Sequence, residues 1–167
     1  MNASRASWAR ALVHHEDMHD APPPIDLSRH TGFLVRRTQQ AHLAAWAREV
    51  GPRLTNVQFG VLNVLASLGE ASQRELCDAL DLDRSTVAGL VARLESRELV
   101  ERGRAPGDRR RNVVRLTAAG RETLTDLAPA AARVDAVLTA GLSEAERAAL
   151  QELLTKVLGG ASSPAPG

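Results

Sequence analysis

The sequence predicts a mainly α fold with a small β-wing, and three observations carry that reading. Apolar residues recur at helical spacing through most of the 167 residues. Capping-box signatures at Thr55-Asn56-Val57-Gln58, Ser72-Gln73-Arg74-Glu75 and Ser143-Glu144-Ala145-Glu146 mark helix starts along that pattern. Between Leu99 and Leu116 the pattern changes to two short β-type runs around Ala105-Pro106-Gly107-Asp108. Together they describe a winged helix-turn-helix domain (54–116) flanked by helical segments (25–53 and 117–158).

Taken in order, residues 1–24 read as a disordered N-terminal extension that closes on Pro22-Pro23-Pro24, a stiff spacer that resists helix. His15-Glu16-Asp17-Met18-His19 matches H-E-x-x-H, where two histidines one turn apart hold zinc and the glutamate acts as base. A zinc hydrolase also needs a sturdy helix in a cleft and a third ligand, and this polar tail offers neither. No metal or cofactor is therefore expected.

From Asp26 to about Val50 the spacing predicts a long helix with apolar or small residues on more than one stripe, ended by Gly51-Pro52. Thr55 opens the next helix, with Phe59, Leu62, Leu65 and Leu68 expected inward and Gly69 as its stop. Ser72 caps a short helix with Leu76 and Leu80 buried, and Asp81-Leu82-Asp83 is the turn. Asp83 caps a helix whose inward stripe is Val87, Leu90, Val91 and Leu94. Strands are expected over Leu99–Arg102 and Asn112–Leu116. Thr117 starts a helix to about 140, interrupted or kinked at Pro129. The last helix runs through Leu150, Leu153, Leu154 and Leu158 to Gly159-Gly160, leaving 159–167 as a disordered tail.

Composition bounds the function. Net charge is only +1, but six arginines face one acid between Arg102 and Arg115, so positive potential concentrates in the hairpin. Asp108 cannot neutralise all six, so most are expected to face solvent or phosphate. Aromatic content of 2% argues against platforms that stack single-stranded bases. The single cysteine, Cys77, excludes an internal disulfide framework, fits a reducing cytoplasm, and is expected as a buried inert thiol. No apolar run reaches the length of a membrane span and no signal-peptide core follows Met1.

A helix-turn-helix followed by a basic hairpin is a device for double-stranded DNA. The outward face of the second helix carries Arg84, Ser85, Thr86, Gly89 and Arg93, short polar or arginine side chains suited to base edges. Gly89 costs about 1 kcal/mol of helix propensity relative to alanine, which either close approach to a sugar-phosphate wall or tight helix packing explains. Ser72 and Gln73, together with Arg109, Arg110 and Arg111 of the hairpin, complete the candidate DNA contacts.

At these residues the chain resembles the MarR family of bacterial transcription regulators. Leu99-Val100-Glu101-Arg102, Asp108-Arg109-Arg110 and Leu116-Thr117-Ala118-Ala119-Gly120 are similar to that family's wing signature. Leu54-Thr55-Asn56-Val57-Gln58-Phe59 and Asp83-Arg84-Ser85-Thr86-Val87 are similar to its second helix and its recognition helix. The likeness covers roughly Leu27 to Leu158. It implies an obligate homodimer held by the first helix and the last two, a helical dimerisation region of 25–53 and 117–158, with wings that reach the minor groove, Asp108 as brace of the wing, and Arg109 or Arg110 as the inserting residue. Glu98 stands where many relatives have glycine. A two-fold dimer implies a pseudo-palindromic operator with half-sites about 34–36 Å apart.

Many relatives bind a small anion, often an aromatic carboxylate, and the segment Arg36 to Trp46 resembles that of members controlling aromatic-acid catabolism. It offers cations (Arg36, Arg37), a hydrogen-bonding group (His42) and an apolar slab (Trp46). Ion pairs across a dimer for the arginines and a core role for Trp46 are the competing assignment. The expected protein is a cytoplasmic, non-enzymatic repressor released from DNA by such an effector, with a ligand-independent DNA-binding regulator as the alternative.

Overall fold

The computed structural model describes residues 25–105 and 107–161, apart from the side chains of Arg109 and Ala161. The expectations for 1–24, including the H-E-x-x-H segment, and for 162–167 lie outside the described residues. The chain divides into two compact units, Met1–Thr38 and Gln39–Gly167.

In the first unit the chain starts with a turn rather than a helix. Asp26 accepts the backbone N–H and the hydroxyl of Ser28 at 3.0 and 2.6 Å, the local turn that competes with helix at such a residue. His30 then accepts the Phe33 N–H through Nδ1 at 3.2 Å, and helix α1 begins at Thr31. The helix therefore starts five residues later than the spacing predicts. It runs from Thr31 to Glu49, crossing the division between the units.

In the second unit, Gly51 takes a φ of 70° and a single 3-10 turn (Gly51–Arg53) leads into α2 (Asn56–Leu68). Both halves of the Thr55–Gln58 capping box form, and Gly69 at φ 75° ends the helix. The phase of α2 differs from expectation. Val61, Leu62 and Leu65 are fully buried, Phe59 is half-buried against Trp46, and Leu68 is exposed. Leu68 is the last residue of its helix.

A strand absent from the expected set follows. β1 (Glu70–Ala71) pairs antiparallel with the distal end of the hairpin's second strand, Glu70 opposite Arg115 and Ala71 opposite Val114. The hairpin is β2 (Val100–Ala105) and β3 (Asp108–Leu116), longer than expected, and β3 is the centre of the three-stranded sheet β1-β3-β2. A register shift at Arg104/Ala105 places Ala105 opposite Asp108 across the tip.

Between β1 and β2 lie α3 (Gln73–Leu80) and α4 (Arg84–Glu95). Leu76 of α3 and Val87, Leu90, Val91 and Leu94 of α4 form the expected inward stripe. Leu80 and Cys77 pack on this core but stay half-buried, so the expectation of a fully buried thiol is corrected. The end of α3 is short enough that its last turn leaves both side chains at the edge of the core.

α4 ends in a Schellman-type pattern: the Leu99 N–H donates to the Leu94 carbonyl at 3.0 Å and the Glu98 N–H to the Glu95 carbonyl at 2.9 Å. Glu98 sits at the left-handed position with φ 59°, which explains why glycine is favoured there. Thr117 joins this turn to the next helix by donating to the Glu98 carbonyl at 2.6 Å and accepting the Gly120 N–H at 3.0 Å. A Cβ at Gly120 would lie 2.0 Å from the Leu99 carbonyl oxygen, so only glycine permits this approach.

α5 (Ala118–Leu138) runs without interruption through Pro129 and buries Leu127, Ala130 and Val134. α6 (Glu144–Ala161) starts at the expected Ser143–Glu146 box but continues through Gly159-Gly160, so the expected stop and the start of a disordered tail at 159 are corrected. Two glycines at the last turn weaken a helix by roughly 1 kcal/mol each but do not forbid it.

Candidate nucleic-acid interface

The core-facing stripe of α4 leaves its opposite face open. Arg84, Ser85, Thr86 and Arg93 are exposed on it, and Gly89 is half-buried. Asp83 organises the start of this face. Its carboxylate accepts the Thr86 N–H at 2.9 Å and the hydroxyls of Ser85 and Thr86, and these bonds hold its pKa far below the usual carboxylate range. The two hydroxyls are thus oriented by the cap, with oxygen lone pairs left as acceptors. Arg84 has no ion pair among the described residues.

The geometry narrows the two explanations of Gly89. A Cβ there would meet only the flexible Arg93 guanidinium, at an ordinary 3.6 Å. Among the described residues no packing requires a glycine there.

The hairpin is less free than its composition suggests. Arg102 pairs with Glu95 at 3.0 Å, Arg111 with Glu75 at 2.7 Å, and Arg115 with Glu70 at 2.6 Å. These three are paired within the chain yet stay open to solvent, their side chains 46%, 41% and 30% exposed. Each partner acid lies on a different element, 7 to 45 residues away along the chain for the pairs concerned, beyond the reach of local reasoning about Asp108. Arg104 is bound to the Arg110 carbonyl at 3.4 Å, and Arg115 also donates to the Arg104 carbonyl at 3.0 Å. Asp108 accepts the Arg110 backbone N–H at 2.9 Å, which fixes the turn at the tip. The Arg110 side chain is left exposed; that of Arg109 lies outside the described part.

Ser72 and Gln73, at the start of α3, are half-buried. The Ser72 hydroxyl is committed to the capping box, donating to Glu75 at 2.7 Å and accepting the Glu75 N–H. Gln73 lines a hollow of about 260 Å³ with Arg102, Asn112, Val113 and Val114, between α3 and the sheet.

The candidate effector residues divide. In the first unit Arg36 and Arg37 are exposed, Arg36 lies 5.3 Å from the Phe33 ring centroid, and neither has an ion pair among the described residues. In the second unit His42 and Trp46 are ring neighbours at 6.1 Å, and Asn56 Nδ2 lies 3.4 Å from His42 Nε2. Trp46 is 8% exposed and donates its indole N–H to the Leu54 carbonyl at 2.7 Å. Trp46 also lines an apolar hollow of about 210 Å³, with Leu43, Pro52, Leu54 and Asn56.

Leu150, Leu153, Leu154 and Val157 form an exposed apolar stripe along α6, and Val137 of α5 is 43% exposed. No helix is long and apolar enough to cross a membrane among the described residues.

Comparison with known proteins fits this geometry. A sequence model described as the MarR family matches residues 54–111, the stretch from the start of α2 to the wing. The chain is 37% identical over 136 residues to the HTH-type transcriptional repressor NicR of Pseudomonas putida, covering 81% of this chain and 86% of NicR. The structure of the PcaV regulator from Streptomyces coelicolor with its natural ligand superposes with a TM-score of 0.79 at 37% identity, covering 84% of this chain and all of that one. Bordetella bronchiseptica BpsR, whose DNA binding is regulated by 6-hydroxynicotinic acid, gives a TM-score of 0.77 at 33% identity, covering 85% of this chain and all of BpsR.

Proposed function

Since this chain belongs to the MarR family of transcriptional regulators, we propose that it is a homodimeric repressor that binds a pseudo-palindromic operator and leaves it when an aromatic carboxylate binds. The observation that carries the reading is the open face of α4. Its core side is fully used, while Arg84, Ser85, Thr86 and Arg93 serve no packing role. A helix with that division lays its polar face in the major groove, while the wing tip, with Arg109 and Arg110, reaches the adjacent minor groove.

The exposed α6 stripe supports a dimer. Four large apolar side chains at helical spacing, Leu150, Leu153, Leu154 and Val157, favour burial against a second copy. The resulting two-fold axis would space two recognition helices by one helical turn of DNA. The protein acts by occupying DNA rather than by catalysis, and in the cytoplasm, where its DNA is.

The effector class rests on chemistry and on likeness. Arg36 and Arg37 are cations without an ion pair among the described residues, and the hollow beside His42 and Trp46 offers an apolar wall with a hydrogen-bonding edge. Those are the groups an aromatic carboxylate requires, and 6-hydroxynicotinic acid, which regulates BpsR, is of that class. An effector that prefers a conformation with misplaced recognition helices lowers DNA affinity in proportion to that preference.

Footprinting on the DNA upstream of its own coding sequence tests the proposal, with a panel of aromatic acids that includes 6-hydroxynicotinic acid. Two protected half-sites released by one acid, with release lost in Arg36→Ala while operator affinity holds, are the expected result. Release that survives Arg36→Ala removes Arg36 from the effector site. Protection of no discrete site removes the operator reading.

A further inference from the structure

Glu75 ties together two parts of the DNA-binding unit that the backbone leaves separate. Its carboxylate accepts the Ser72 N–H and hydroxyl, both at 2.7 Å, closing the capping box of α3. Oε2, which takes both Ser72 bonds, and Oε1 each accept Arg111 Nη2 at 2.7 Å, from the middle of β3. These contacts hold the Glu75 pKa near 2, the Ser72 bonds contributing most.

The position of Arg111 gives the contact its significance. Pairing of β1 with β3 ends at Ala71 opposite Val114. Beyond it the wing is a two-stranded ribbon, a structure with little independent stability in water. Among the described residues, Arg111–Glu75 is the only ion pair joining residues 103–113 to another element. Arg102 and Arg115, which pair with Glu95 and Glu70, sit at the base, where the sheet already fixes the chain.

We propose that Glu75 is a positioning residue for DNA binding. Through Arg111 it sets the angle of the wing relative to the helix-turn-helix, and Arg111 acts as its strap rather than as a phosphate contact. The inference rests on the proposed DNA-binding function. Bound to a carboxylate by both oxygens, Arg111 presents little net charge to DNA. A wing held at the bound angle before the encounter spares the complex the entropy of fixing it.

The test is a double-mutant cycle of Glu75→Gln and Arg111→Ala on operator affinity over a salt series. Glutamine is a good third residue of a capping box, so Glu75→Gln keeps the α3 cap and removes the charge on the strap. Each single variant is expected to weaken operator binding by about two- to fivefold, the range of coupling seen for exposed pairs. The double variant is expected to be no weaker than either single one, with the salt slope of wild type in all three. A slope about one unit shallower in Arg111→Ala, with Glu75→Gln unchanged or tighter, would identify Arg111 as a phosphate contact and overturn the proposal. Additive losses in the double variant would overturn it as well. Failure of wild-type protein to bind the operator would instead count against the DNA-binding reading, so the two failures are distinct.

Discussion

Glu98 holds a left-handed conformation, φ 59°, in the turn that delivers the chain from α4 to the wing. A side chain there costs roughly 1–2 kcal/mol that glycine does not incur. The Leu99 and Glu98 N–H bonds to Leu94 and Glu95 keep the turn in place despite that cost. Glu98→Gly is therefore expected to stabilise the fold by about 1 kcal/mol, offset in part by the looser unfolded chain, read as a higher urea midpoint at unchanged slope. Gly120 presents the opposite case. Its missing Cβ is what lets α5 approach the Leu99 carbonyl, and no flexible side chain can yield there. Gly120→Ala is expected to lose about 1–3 kcal/mol or fail to fold, measured in the same titration, whereas unchanged stability would contradict the close approach.

At the scale of elements, α4 separates stability from function at one position. Because a Cβ at Gly89 would meet only the Arg93 guanidinium among the described residues, at an ordinary 3.6 Å, Gly89→Ala is expected to raise stability by about 0.5–1 kcal/mol while weakening DNA binding. Weaker binding without the gain in stability would mean that the helix itself is disturbed. α3 gives a pH test through its cap. Glu75 titrates near 2 in the fold against an ordinary 4.5, so its contribution is fully present above the ordinary value and is lost as pH falls towards 2. Wild type should lose urea stability over that window faster than Glu75→Gln. The difference should shrink in high salt, since the group is on the surface.

These elements also show what a sequence can disclose. The caps at Thr55, Ser72, Asp83, Thr117 and Ser143 were legible because each depends on residues three positions apart. The inward stripe of α4 was legible because its period is regular along the whole helix. β1 was not, because two residues carry no period and their partners, Arg115 and Val114, lie far along the chain. The commitments of Arg102, Arg111 and Arg115 were hidden for the same reason: their acids are neighbours only in the folded chain. The continuation of α6 past Gly159-Gly160 was hidden because local propensity alone argues for a stop.

At the scale of the whole molecule, the exposed apolar stripe of Leu150, Leu153, Leu154 and Val157 on α6 asks for a partner surface. Burial in a second copy removes that surface from water and creates the two-fold axis that a palindromic site requires. Leu153→Asp, at a position 59% exposed in the chain, should leave the fold intact and shift sedimentation from dimer to monomer. A variant that remains dimeric would move the interface elsewhere. The family membership, the open face of α4 and the exposed tip of the wing converge on one claim, that the second unit grips duplex DNA with a helix and a ribbon together.

Equilibrium binding to the duplex upstream of its own coding sequence, over a salt series, tests that claim most directly, with wild type, Arg84→Ala and Arg110→Ala compared. The expected result is steep salt dependence in wild type and weaker binding in both variants, with the Arg110→Ala slope lower by about 0.9 for one lost phosphate-side contact. Shallow salt dependence, or affinity indifferent to both substitutions, would contradict the account.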